Sequence, residues 1–298
     1  MVHRERNHSA FIEISLLAVV VIWAVNYPVI KYGLAGLNPF IFNSVRYITA
    51  SVIAVLPFLW HYKWRRIAKE DVQSITRAGI VASVAHQVMF IAGMSMTTAG
   101  NAVILLSTSP LFTVILDAKL KREKVKNAVW AGMIVSLTGI VLIIIGSGKK
   151  VGFGGNELVG DFICLGASAV WALNNNLQKP ILQRYDVAQF ALIQFVIGAA
   201  GLSVIATPWA LHTDFSAVHW KYYGAAVVSG VFAIGIAYFI WSYGIKIIGP
   251  GRTANFGNLV PVIAFVVSYF TLNEILFPIQ IVGAAVTIAG VWVVHRND

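Results

Sequence analysis

The sequence predicts an all-α membrane protein of ten transmembrane helices, arranged as two inverted five-helix repeats. Three observations support this fold class. The chain of 298 residues is 58% hydrophobic and only 11% charged, whereas soluble domains carry roughly 25% charged residues. Apolar runs of about 20 residues, the length that crosses a bilayer, recur from end to end. Prolines and glycines also recur at a fixed spacing of 151 residues.

The apolar runs follow one another with short polar or glycine-rich connections between them. The first run is longer than the apolar region of a typical signal peptide, so we interpret it as an uncleaved first helix. The third and fourth helices, and likewise the ninth and tenth, are joined so closely that each pair must be antiparallel. The expected helices span 10–30, 39–60, 72–96, 101–118, 127–146, 158–178, 187–210, 222–245, 253–272 and 276–294.

The two halves of the chain repeat one another. Trp23 and Asn26 match Trp171 and Asn174 at a spacing of 148, and a three-residue insertion in the seventh helix reconciles this spacing with 151. The glycine-rich segment 147–157 is the expected linker, so the repeats are 1–148 and 149–298. Because five is an odd number, the second repeat is expected upside down in the membrane. The pairs spaced by 151 residues include Pro57 and Pro208, His61 and His212, Gly79 and Gly230, Pro110 and Pro261, Glu123 and Glu274, Gly132 and Gly283, and Gly139 and Gly290.

The basic residues predict the orientation. With the N-terminus in the cytoplasm, seventeen Lys and Arg fall in inside segments and four in outside segments, with Arg46 left within a helix. Such an excess on the cytoplasmic side orients membrane helices. We therefore expect a multi-pass protein of the cytoplasmic membrane with both termini in the cytoplasm.

The net charge of +10 does not indicate nucleic-acid binding, because the cations lie in short loops beside apolar runs. The single cysteine, Cys164, rules out an intramolecular disulfide. No set of side chains has the spacing of a metal site, and no phosphate-binding loop is present, so we expect no cofactor, no metal and no catalytic residues. The expected partners are a small-molecule substrate and the lipid bilayer.

Several motifs resemble those of the drug/metabolite transporter superfamily, EamA type. They are the segment 106–113 with Pro110, its second copy 258–262 with Pro261, and the Arg46-Tyr47 pair. The resemblance covers nearly the whole chain. It implies a ten-helix transporter with a central cavity and alternating access, and it leaves the substrate open.

The Trp-Asn pairs are the first candidates for substrate contacts. A spacing of three residues puts Trp23 and Asn26 on one helix face, and the same holds for Trp171 and Asn174. In an inverted repeat these faces meet at the centre, where an amide and a large apolar ring suit an uncharged or zwitterionic substrate. The alternative is that the asparagines bond neighbouring helices and the tryptophans mark an interface.

The polar run that continues through Asn175 and Asn176 to Gln178 cannot face lipid on every side. We expect Asn175 to line the cavity, whereas Asn176 is the weaker candidate. The alternative is that part of this run lies at the cytoplasmic interface.

Polar and aromatic residues of the third and eighth helices extend the candidate site. His86, next to Gln87, lies at mid-membrane depth, where an ionisable residue is a functional candidate. Tyr238 and Trp241, spaced by three residues, would form an aromatic wall. The alternatives are a neutral histidine bonded to a carbonyl, and aromatic side chains that serve packing or an interfacial belt.

Arg46 lies about two turns into the second helix from its outer end, and its repeat counterpart is Gln194. A guanidinium binds a carboxylate bidentately, which would make Arg46 a substrate contact. The alternatives are that Arg46 extends to the outer interface or bonds a helix-end carbonyl.

Small residues predict close helix packing. Gly132 with Gly139, and Gly283 with Gly290, each lie two turns apart on one face. We expect a structural seam there, which is also compatible with a homodimer contact. Glu123 and Glu274 are expected to cap helices.

Inverted repeats favour a secondary transporter. With the resemblance, which implies transport of small molecules, we expect an exporter or exchanger of a small organic metabolite such as an amino acid. The alternatives are an integral membrane enzyme or a non-transporting scaffold. We expect movement without an obligatory proton. Glu13, Asp117 and Asp161 all lie near helix ends, and His86, the titratable residue at the midplane, is expected to be largely neutral at pH 7. The alternative is proton antiport linked to His86 or Glu13.

Overall fold

The structure is a computed structural model that describes residues 2–60, 64–97, 105–121, 125–146, 156–264, 267 and 277–297. These residues are helical apart from short connections, and none of them lies in a strand. We number the helices α1 to α10 in chain order. They span Val2–Leu34, Pro39–Trp60, Lys69–Met96, Ser109–Lys121, Asn127–Gly146, Asn156–Arg184, Val187–Ala210, Trp220–Ile248, Pro250–Phe256 and Pro278–Asn297.

Six of the described helices are long and apolar enough to cross a membrane, and α5 and α10 carry shorter apolar stretches. The chain is therefore a multi-pass membrane protein. The six candidate spans are Phe11–Leu34, Pro39–Leu56, Lys69–Met96, Leu158–Arg184, Val187–Ala210 and Trp220–Ile248.

The order of the helices agrees with the sequence, and the main differences are at their ends. α1 continues to Leu34 and α6 to Arg184, each through an internal proline that a sequence pattern marks as a stop. α9 begins early, at Pro250, because Gly249 adopts a positive φ of 88° and permits a one-residue connection from α8. The far end of the expected ninth helix, together with Glu123 and Glu274, lies outside the described residues.

Irregular turns recur at the spacing of the sequence repeat. A π-helical segment interrupts α3 at Val81–Ala85, and another interrupts α8 at Gly230–Ile236. A turn at 107–108 precedes Pro110, and a 3-10 turn at Gly257–Leu259 precedes Pro261. Proline has no amide hydrogen for the preceding turn, which explains why the expected continuous fourth helix is broken at 107–108.

Helices from the two halves pack against one another: α5 against α10, α2 against α7, α3 against α6 and α1 against α8. The α5–α10 contact is the seam that the glycines predict, and it lies within a single chain. A Cβ atom on Gly139 would overlap the backbone of Thr287 and Gly283, and one on Gly290 would overlap the backbone of Ser136 and Gly132. A contact between two copies of the chain would therefore need another surface.

Gly139→Ala should lower the melting temperature of the purified protein in detergent. The added methyl group has no space between the two backbones, and overpacking of this kind costs roughly 1–3 kcal/mol. Gly224→Ala is the matched control, since a Cβ atom at Gly224 meets nothing within 4 Å. Equal melting temperatures for the two variants would show that the seam is not tight.

A cluster of ionic contacts and hydrogen bonds lies at the end of the bundle where α3 begins and α6 ends. Asp71 accepts hydrogen bonds from Arg184 Nη1 at 2.5 Å and from the Tyr185 hydroxyl at 2.6 Å. Gln189 accepts from the amide of Arg65 at 3.2 Å and donates to its carbonyl at 2.7 Å. These bonds tie the α2–α3 connection to the α6–α7 connection.

Asp71→Asn should destabilise the protein by about 1–2 kcal/mol, because it removes a charge-assisted bond and weakens a second one at a carboxylate that is only 12% exposed. Glu70→Gln is the control. The Glu70 carboxylate is 74% exposed and lies 3.4 Å from Arg184, so this change should cost ~0.5 kcal/mol or less. Thermal unfolding in detergent measures the stability of both variants. An equal loss of stability in the two would contradict the larger effect expected for Asp71→Asn.

Candidate functional site

Four aromatic side chains from α1, α6 and α8 meet at the centre of the bundle, and we call them the aromatic cluster: Trp23, Trp171, Tyr238 and Trp241. Trp23 lies 4.8 Å from Trp241 and 5.9 Å from Trp171, measured between ring centroids. Tyr238 lies 5.2 Å from Trp171, edge to face. The structure thus brings together aromatic residues that the sequence placed on three separate helix faces.

α3 contributes His86 and Gln87 to the same centre. The imidazole of His86 lies 4.9 Å from the Trp171 ring, and Gln87 Nε2 donates a hydrogen bond to the Tyr238 hydroxyl at 2.8 Å. His86 Nδ1 lies 3.3 Å from Gln87 Nε2, so the bond there is to a neighbouring amide rather than to a carbonyl. Both residues are buried.

A series of hydrogen bonds, which we call the polar chain, joins α1, α8, α2 and α3. The Ser229 hydroxyl donates to Asn26 Oδ1 at 2.6 Å and accepts from Arg46 Nε at 2.8 Å. Arg46 Nη1 donates to Asn43 Oδ1 at 2.6 Å, and Asn43 Nδ2 donates to the carbonyl of Gln87 at 3.3 Å. Asn26 and His86 are therefore linked through bonded or adjacent residues.

Arg46 takes neither structural role that the sequence left open. Its side chain is buried, with 3% of the residue exposed, and both of its described acceptors are side-chain oxygens rather than helix-end carbonyls. The guanidinium carbon lies 5.9 Å from the centroid of the Phe42 ring. Among the described residues, no carboxylate lies within ion-pair distance of Arg46.

Both residues of the first Trp-Asn pair form hydrogen bonds at the π-helical segment of α8. Trp23 Nε1 donates to the carbonyl of Ala233 inside this segment at 3.1 Å, and Ser229, the partner of Asn26, directly precedes it. A π-helical turn shifts the backbone bonding pattern and leaves carbonyls available to side chains, which is why such turns are frequent at functional sites.

The asparagines of α6 separate into different roles. Asn175 Oδ1 accepts from Trp241 Nε1 at 2.9 Å and so fixes one ring of the aromatic cluster. Asn176 donates to the carbonyls of Thr113 and Ala172, and Gln178 accepts from Ser242, which is helix packing. Asn174 is fully buried, and neither polar atom of its side chain bonds another described residue.

The sequence did not single out Ser229 or Asn43. Asn43 precedes Arg46 by three residues, so the spacing rule that found the Trp-Asn pairs could have found it. Ser229 precedes one of the repeat-related glycines, but its rotation toward α1 depends on the packing of α8 and has no signal in the sequence. Among the described residues, no three His, Cys, Asp or Glu side chains converge as metal ligands would.

The chain is similar over nearly its whole length to known transporters and to a protein of known structure. A "probable terminal-alkyne amino-acid exporter" of Streptantibioticus cattleyicolor is 27% identical, covering 95% of this chain and 93% of its own. An uncharacterized transporter of Archaeoglobus fulgidus is 26% identical, covering 93% and 94%. A protein of known crystal structure shares the fold with a TM-score of 0.75 at 15% identity, covering 95% and 96%.

The family profile described as the EamA-like transporter family matches the chain twice, over residues 10–145 and 158–296. The names of the family and of these relatives indicate transport rather than catalysis. With nearly the whole chain matched, the protein belongs to the EamA-like transporter family.

Proposed function

We propose that the protein is a secondary transporter that moves a small organic metabolite, such as an amino acid, by alternating access across the cytoplasmic membrane. The observation that carries the proposal is the convergence of Trp23, His86, Trp171 and Trp241, from four helices, on one buried centre. A site between helices of both halves is open to either side of the membrane in turn when the halves rock.

Two observations support ten helices in two inverted repeats. The family profile matches two successive ranges of similar length. The π-helical segments of α3 and α8 begin 149 residues apart and end 151 apart, and irregular turns precede both Pro110 and Pro261, which are themselves 151 residues apart. An odd number of crossings in each repeat turns the second one over.

The bound metabolite would lie against the aromatic cluster, with its polar groups toward the polar chain and Asn174. Asn174 supports this arrangement, because its buried amide has no partner among the described residues. A buried amide without a partner is costly in the absence of water. The name of the Streptantibioticus relative supports an amino-acid substrate and outward transport.

Transport is tested by counterflow in proteoliposomes loaded with unlabelled proteinogenic L-amino acids, with a trace of the labelled mixture outside and no pH gradient. We expect uptake of label above that of protein-free liposomes, because exchange requires only the alternating site. Uptake no higher than in protein-free liposomes would contradict the amino-acid proposal.

Trp171→Ala should reduce counterflow about tenfold or more, since it removes the ring that contacts Trp23, Tyr238 and His86, a loss of ~1.4 kcal/mol. Trp292→Ala is the matched control, because Trp292 is 58% exposed on α10. A Trp171→Ala protein that reaches the membrane and transports as fast as the control would place the site elsewhere.

The orientation is tested with single cysteines in a Cys164→Ser background. Ala217→Cys, in the α7–α8 connection, should react with a membrane-impermeant maleimide on intact cells. Arg66→Cys, in the α2–α3 connection, should react only after permeabilisation, because the excess of cations places that side in the cytoplasm. Labelling of both cysteines on intact cells would refute the topology.

A further inference from the structure

Arg46 is a cation buried without an anion in the described part of the bundle. Only 3% of the residue is exposed, and its two described acceptors, Ser229 Oγ and Asn43 Oδ1, are neutral. The ion pairs that the structure describes join Arg184 to Glu70 and Asp71, at the end of the bundle where α3 begins. An uncompensated charge at membrane depth is costly, and ionisable residues there usually serve a pathway or a ligand.

The polar chain uses only part of its donor capacity. Arg46 donates through Nε and Nη1, and its Nη2 atom bonds no described residue. Asn26 accepts through Oδ1, whereas its Nδ2 atom likewise bonds no described residue. The hydroxyl hydrogen of Ser229 is already donated to Asn26, so Ser229 holds Arg46 and Asn26 side by side. The unused capacity on both residues is donor capacity, which an acceptor group from outside the protein would satisfy.

The unused donors lie beside the aromatic cluster. Asn26 lies one turn along α1 from Trp23. Both residues bond the same part of α8, Asn26 at Ser229 and Trp23 at the carbonyl of Ala233. On its other side Arg46 is linked through Asn43 to Gln87, which bonds Tyr238 of the aromatic cluster. A ligand whose apolar body contacts the tryptophans would therefore carry its acceptor group to Arg46.

We infer that Arg46 and Asn26 bind a carboxylate of the transported substrate, which supplies an anion that the described residues do not provide at this position. This inference rests on the proposed transport function and specifies its substrate class. A carboxylate has two oxygens in the geometry that a guanidinium edge recognises. An amide of the same shape has one acceptor and no charge, and a decarboxylated amine has neither acceptor nor negative charge.

The test uses matched triples that share one apolar body: the L-amino acids leucine, phenylalanine and methionine, their amides, and their decarboxylated amines. Each compound competes in the counterflow assay described above. We expect each acid to compete at a concentration at least about tenfold lower than its amide or amine, as loss of a charge-assisted bond predicts. Competition by chloride or inorganic phosphate at the same concentration as the acids would overturn the inference, since it would indicate a general anion site.

Arg46→Gln tests the residue itself. We expect the preference for acid over amide to fall toward unity, and Arg77→Gln, the same change at an exposed arginine of α3, should leave the preference intact. The preference is a ratio within one protein preparation, so a partial loss of folded protein does not change it. Ser229→Ala removes the acceptor of Arg46 Nε, so it should reduce the preference for acid over amide as well. This variant replaces Arg46→Gln in the test if Arg46→Gln fails to reach the membrane.

The outcomes separate the two proposals. Counterflow of amides and amines as fast as of acids would overturn the carboxylate inference and leave transport standing. An undiminished preference for acids in Arg46→Gln would also overturn the role of Arg46. Absence of counterflow for every compound in the set would contradict the proposed transport of amino acids, on which the carboxylate inference rests.

Discussion

The hydrocarbon layer offers no water to a polar side chain, and this constraint shapes the centre of the protein. Each buried polar group must bond another helix, another side chain or a ligand. The polar chain meets part of this requirement by joining α1, α8, α2 and α3 through Asn26, Ser229, Arg46, Asn43 and Gln87. Gln87 Oε1, Arg46 Nη2 and Asn26 Nδ2 bond no described residue. The same bonds fix the rotation of these helices, so the partners that satisfy the polar groups also set the shape of the site.

The aromatic cluster depends on this arrangement. Trp23 is oriented by a carbonyl of the α8 π-helical segment, Trp241 by Asn175, and Tyr238 by Gln87. Each of these three rings thus has a polar atom bonded to a different helix, while its apolar faces contact the other rings. A change in the relative position of α1, α6 and α8 would alter several of these contacts together, so the proposed alternating access would change the contacts of all three helices at once.

The sequence predicted helix faces well because the periodicity of a helix is fixed. The spacing of three residues placed Trp23 with Asn26 and Tyr238 with Trp241 on common faces, and the structure brings those faces together. Ser229 was missed, because one serine among many gains its role from the packing of α8. The sequence pairs Asn174 with Trp171 and gives Asn175 only as part of a polar run, yet Asn175 is the one that bonds Trp241, since adjacent residues point 100° apart around a helix. The glycine faces predicted close packing, but not whether the partner was α10 or a second copy.

The contact between α5 and α10 limits which motions the bundle can make. Gly139 and Gly290 bring the two backbones together with no space for a side chain, and hence none for a lipid tail or a water molecule. Separating the two helices would lose dispersion contacts along two turns without any replacement. This pair therefore forms a rigid contact between the two halves of the chain, and the proposed alternating access would require the remaining helices to tilt around it.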